Sequence, residues 1–189
     1  MNVEEDKTYC WKEKMAVYRY KNRIPKIGKK VYISDSARVI GDVTVSDNCY
    51  IGHGAIVRGD YGKIIIGPGT AVEENAVLHI RPNGLLELED RVTVGHGAII
   101  HGQLIKSHAV IGIGSIIGFD VVVGRWTIIA EGCVVPQNNI IPDGKIVVGV
   151  PFNIMGDVLP KHKEFWTYGK QLYIDLAAEY ADNFEKLPD

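Results

Sequence analysis

The chain has only three cysteines in 189 residues, Cys10, Cys49 and Cys133, and no CxxC pair. An odd, widely spaced set argues against a disulfide framework and points to reduced thiols and a cytoplasmic setting. No apolar run approaches the roughly 20 residues of a membrane span. The N-terminus, MNVEEDKTYCWKEK, lacks the apolar stretch of a secretory signal. Neither charge sign dominates: the net charge is −2 and there is no basic cluster, which excludes nucleic acid and other polyanions as partners. Aromatic residues are few, at 8%, yet 46% of the chain is hydrophobic, which excludes disorder and suits one domain with a real core.

What the chain does have is a six-residue beat. Aliphatic residues recur at Ile33, Val39, Val45, Ile51 and Val57, then at Ile66, Val72 and Leu78, then at Leu88, Val94 and Ile100. The beat continues as Val110, Ile116, Val122, Ile128, Val134, Ile140 and Ile146, with Gly, Asn or Asp where the chain must turn. β-Branched residues suit short pleated strands, and Gly or Asn suits corners of positive φ. Such a period predicts an all-β solenoid in which three hexads make one triangular coil, advancing about 4.8 Å. Residues 1–30 read as a lead-in with an edge strand around Met15 to Arg19, residues 31–150 as the solenoid, and residues 151–189 as a linker and packing helix. In that helix Phe165, Trp166, Gly169, Leu172, Tyr173, Leu176, Ala177, Tyr180 and Phe184 recur at helical spacing. Tyr173 and Tyr180 are the members that could reach a neighbouring site.

Three interruptions break the beat, near Tyr61 to Lys63, Arg81 to Gly84, and Gln103 to His108. Insertions in a solenoid bulge from one face, often the binding face. Two of them directly follow histidines. His79 follows Leu78 and His101 follows Ile100, and the interval of 22 residues is one coil plus a four-residue insertion. The two histidines therefore stack on one face with backbones about 4.8 Å apart, and their imidazoles can converge on one metal at about 2.0–2.1 Å each. His96 follows Val94 by two positions and belongs to a different face. If all three bind one ion, His96 must come from a neighbouring prism, which predicts a homotrimer with metal sites between subunits. Three histidines leave one position for water, the arrangement of catalytic zinc, which lowers the pKa of that water toward about 7. The bland alternative for each is a polar corner; His53, His108 and His162 lack the register.

Arg58 lies one coil before His79 in the same column, and Asp60 can pair with it. Glu73 and Glu74 follow Val72 on the face that carries His96 one coil later. They would border the site as acceptors of hydrogen bonds or protons, or else as solvated turn carboxylates.

Arg58-Gly59-Asp60, the histidine in VLHI, the VGHGAIIHG segment, the GVP ending at Pro151 and the aromatic C-terminal helix resemble the γ-class carbonic anhydrase-like family of hexapeptide-repeat proteins. The resemblance runs from about Ile24 to Leu187. It implies a left-handed parallel β-helix with a C-terminal α-helix, and a homotrimer. It also implies zinc, or iron or cobalt, held by His79 and His101 of one chain and His96 of the next. The implied activity is hydration of carbon dioxide to bicarbonate, with Arg58 and Asp60 shaping the interface. The family pattern has Gln, then Asp or Asn, where this chain has Glu73 and Glu74, and an ionised carboxylate can only accept hydrogen bonds. RGDYGKI is closer to a subfamily of phenylacetate and carnitine operons, for which acyl-CoA thioester hydrolysis is proposed. A metal-free hexapeptide acyltransferase and a non-catalytic trimeric scaffold complete the alternatives.

Overall fold

A computed structural model describes residues 15–185 and 187; Cys10 lies outside them. Short strands, most of two residues, stack coil on coil into a three-sided prism. The first face carries Tyr32–Ile33, Tyr50–Ile51, Ala71–Val72, Thr93–Val94, Val110–Ile111, Ile128–Ile129 and Lys145–Val148, all parallel. The second carries Val17–Tyr18, the starts of Arg38–Val45 and Ile56–Ile66, then Val77–His79, Ile99–Ile100, Ile116–Ile117 and Val134–Val135. The third carries Lys26–Ile27, the ends of the same two long strands, then Leu85–Leu88, Leu104–Ile105, Val122–Val123 and Ile140–Ile141. The stack thus begins at Val17, within the segment read as a lead-in. The residues added near Tyr61 form no loop; they lengthen Ile56–Ile66 so that it bends around the corner between the second and third faces.

One inward aliphatic residue per face fills the prism, and Val57, Leu78, Ile100, Ile117 and Val135 are fully buried beneath the second face. Burying each such side chain stabilises the fold by about 1.5–3 kcal/mol. Up to Ile100 the inward residues are the ones expected. Beyond it they are Ile105, which the expected beat lacks, and Ile111, Ile117, Val123, Ile129, Val135, Ile141 and Val147, each one place after the expected residue. Ile116 and Ile140 instead point outward, 42% and 75% exposed. These strands are pairs of adjacent aliphatics, and period alone does not say which member faces in. No insertion follows Ile100 either: the inward steps are Ile100, Ile105 and Ile111, so one turn is a residue short, and Leu104–Ile105 is an ordinary third-face strand.

The C-terminal helix, Pro160–Asn183, lies along the first face and runs back toward the first coils. Tyr173, Leu176, Ala177 and Tyr180 cover Tyr32, Tyr50 and Ala71. Phe165 and Leu172, expected on this contact stripe, face outward, while Lys170 is buried instead. Its Nζ donates to Thr93 Oγ1 at 2.9 Å and to the Ala109 carbonyl at 3.2 Å. A buried cation is tolerable when its donors are met in this way. No helix among the described residues is long and apolar enough to cross a membrane.

Candidate functional site

At the corner between the second and third faces, Arg58 pairs in register with His79, and Leu78 pairs with Ile100, so that His101 follows beside His79. The two imidazole rings stand 5.1 Å apart, centre to centre, at 84°. Gly59 lets the coils close here, because a Cβ on it would come within 2.5 Å of the Asp42 carbonyl oxygen. Arg58 Nη1 lies 3.3 Å from Asp60 Oδ2, and Arg58 Nη2 lies 3.0 Å from His79 Nε2. A guanidinium only donates, so His79 Nε2 accepts and the ring proton sits on Nδ1. Asp60 Oδ1 lies 3.6 Å from His79 Nε2 and, though buried, has no hydrogen-bond partner; His101 Nδ1 is also buried without one. Packing holds the His101 ring instead, edge-to-face on Phe119 at 4.6 Å. Burial first, then the nearby Arg58 charge, lowers the pKa of both imidazoles, with Asp60 opposing at His79. Neutral imidazole is the form that ligates a metal.

The corner between the first and second faces is built differently. Glu74 sits one coil before His96, and its carbonyl accepts from the Gly97 N–H at 2.9 Å. Glu74 Oε2 lies 2.7 Å from His96 Nδ1, and Glu73 Oε2 lies 3.2 Å from both His96 Nε2 and the His96 backbone nitrogen. The Glu73 side chain is 7% exposed. Tyr173, from the helix, bonds Glu73, and the Tyr50 hydroxyl donates to Glu74 Oε1 at 2.7 Å. Burial raises the pKa of Glu73 against the pull of His96. At Glu74 burial also raises it, but the Tyr50 hydrogen bond and its other partners win, and the carboxyl titrates below the ordinary range.

Between these corners lies the second face, whose outward column reads Ile56, Val77, Ile99, Ile116 and Val134, with Ile99 and Ile116 exposed. Arg58 and Asp60 thus join His79 and His101, while Glu73 and Glu74 join His96. Among the described residues, no group of three His, Cys, Asp or Glu side chains in one chain could hold a metal ion. His53 bonds Ser34, His108 stacks on Trp126, and His162 bonds the Leu159 N–H at the helix start. Tyr180 packs on Tyr32 and Tyr50. Phe119 and Tyr50 were not signalled by the sequence. Only the coil register brings Phe119 to His101, and Tyr50 to a carboxylate 24 residues away.

The carnitine operon protein CaiE of Citrobacter koseri is 34% identical over 163 residues, 86% of this chain and 83% of that protein. A carbonic anhydrase of Geobacillus kaustophilus is 37% identical over 100 residues. The chain belongs to the γ-class carbonic anhydrase-like family of hexapeptide-repeat proteins. The match to the Geobacillus protein covers 53% of this chain and about half, 55%, of that one. A solved candidate acetyltransferase from Bacillus cereus is 32% identical, with a TM-score of 0.85 over 89% of this chain and 98% of that one. No protein-family model matches. The solenoid is the family's left-handed β-helix, a hand that the period itself does not dictate.

Proposed function

We propose that this γ-class family member is a metal-dependent enzyme of carbonic anhydrase type. In this reading it hydrates carbon dioxide to bicarbonate at sites shared between the copies of a homotrimer. His79 and His101 of one copy and His96 of the next hold the ion, zinc with iron or cobalt as alternatives. The observation that carries the reading is the aliphatic second face bounded by two half-sites of opposite character. Apolar area between complementary charged rims is what an interface between copies needs. The donors suit a cation: both imidazoles at one corner are held neutral, His79 Nε2 offers a lone pair that Arg58 now engages, and His101 Nδ1 is buried and unpartnered. When bound, a divalent ion makes a coordinated water acidic enough to lose its proton near neutral pH. Arg58 and Asp60 orient His79, while Tyr61 and Phe119 flank the imidazoles and restrict water around them.

Elemental analysis of the purified protein, with stopped-flow hydration assays on the metal-loaded form, tests the reading. About one ion per chain, with hydration above the buffer rate, is the expected result. Metal-loaded protein that stays at the buffer rate while releasing free thiol from acyl-CoA thioesters replaces carbon dioxide with a thioester as the substrate.

A further inference from the structure

Glu73 stands where the family pattern has glutamine, and its surroundings give that exchange a consequence. His96 Nδ1 and Glu74 Oε2 are 2.7 Å apart, and the other Glu74 oxygen already accepts from Tyr50. In a neutral imidazole the short contact places the proton on Nδ1, the usual way a carboxylate orients a ligating histidine. His96 Nε2 then presents a lone pair, and Glu73 Oε2 faces it at 3.2 Å. Two acceptors that close repel unless a cation serves both. Two ligand atoms about 2.1 Å from one ion stand about 3.0 Å apart at a right angle and about 3.4 Å apart at the tetrahedral angle. The observed spacing falls between these. Glu73 is also fixed in place, nearly buried and bonded to Tyr173 and to the His96 N–H.

We infer that Glu73 is itself a metal ligand, so that each ion has four protein ligands, His79 and His101 from one copy and His96 and Glu73 from the next, with the water in a fifth position. The inference rests on the shared metal site proposed above. A mixed nitrogen and carboxylate set also widens the range of ions, because carboxylate suits harder cations such as manganese better than a site of three imidazoles does.

The test uses the full-length protein loaded with cobalt(II), with metal affinity read by competition against a chromophoric chelator. Glu73→Gln keeps the shape and removes the charge. It is expected to bind cobalt roughly 10- to 100-fold more weakly and to change the visible absorption of the bound ion, while sedimentation still reports the wild-type assembly. If Glu73→Gln does not assemble, Glu73→Asp serves in its place: it keeps the carboxylate but shortens its reach, and the same loss of affinity is expected. Unchanged affinity with a superimposable cobalt spectrum overturns the inference and makes Glu73 only the salt-bridge partner of a protonated His96. A wild-type protein that takes up no ion is a different failure, because it removes the metal site itself.

Discussion

Two corners of one prism face hold all three candidate ligands, and they are furnished in opposite ways. At one, His79 and His101 have a guanidinium beside them, a buried carboxylate oxygen with no partner, and an imidazole nitrogen with no partner. At the other, His96 is gripped at both ring nitrogens by carboxylates. One corner holds a guanidinium and polar atoms without partners, and the other holds two carboxylates on a single imidazole. The supports differ as well. The imidazole pair rests on the solenoid alone, through in-register strands and the close approach at Gly59. The His96 corner depends on Tyr173, so the packing of the C-terminal helix reaches that half-site directly. In the proposed trimer each corner would be completed by the other, with the aliphatic strip between them as the surface along which two copies meet.

Removing a ligand from either corner should have the largest effect. His101→Ala and His96→Ala are each expected to lower bound metal from about one ion per chain to less than a tenth, by elemental analysis, although the two residues occupy different corners. Next, Ile99→Glu puts a charge on the second face and leaves every histidine in place. Sedimentation should report monomers, and metal should be lost with the assembly; a monomer that keeps its metal would contradict the split site. Leu78→Ala tests the support beneath the imidazole pair. Chemical denaturation should show a loss of about 2–5 kcal/mol, because the solenoid core cannot close around the lost side chain.

A pH-dependent effect is expected away from both corners, at Lys170. Burial, partly opposed by Glu73, holds its amine down at about 7. Between that value and the ordinary lysine value near 10.5, the folded chain binds fewer protons than the unfolded one. Stability should therefore rise with pH across this window and be lost as pH falls through it, levelling off below about 7. Lys170→Met is expected to flatten that slope in denaturation curves measured from pH 7 to 10.

Much of this was legible in the sequence, and the residues show why. A strict hexad fixes the column of every residue up to Ile100, so the stacking of Arg58, His79 and His101 follows from counting. Counting fails beyond Ile100, where adjacent aliphatics such as Ile116 and Ile117 leave two registers open and one short turn decides between them. Periodicity also assigned Phe165 and Leu172 to the helix contact and passed over Lys170, because a lysine buried by two hydrogen bonds carries no hydrophobic signal. The grip of Glu73 and Glu74 on His96 was partly visible, since the turn sequence places them on one face. The tyrosines that hold those carboxylates come from another coil and from the helix.

The most direct test of the shared site is complementation between His96→Ala and His101→Ala. Each variant alone should hold less than a tenth of the wild-type metal. Unfolded together at equal concentration and refolded, they form mixed trimers in which about a quarter of the interfaces pair an intact His79 and His101 with an intact His96. Recovery of about a quarter of the wild-type metal content is the result expected of a site divided between copies. No recovery from well-formed mixed trimers would mean that each chain builds its own site, contradicting the account.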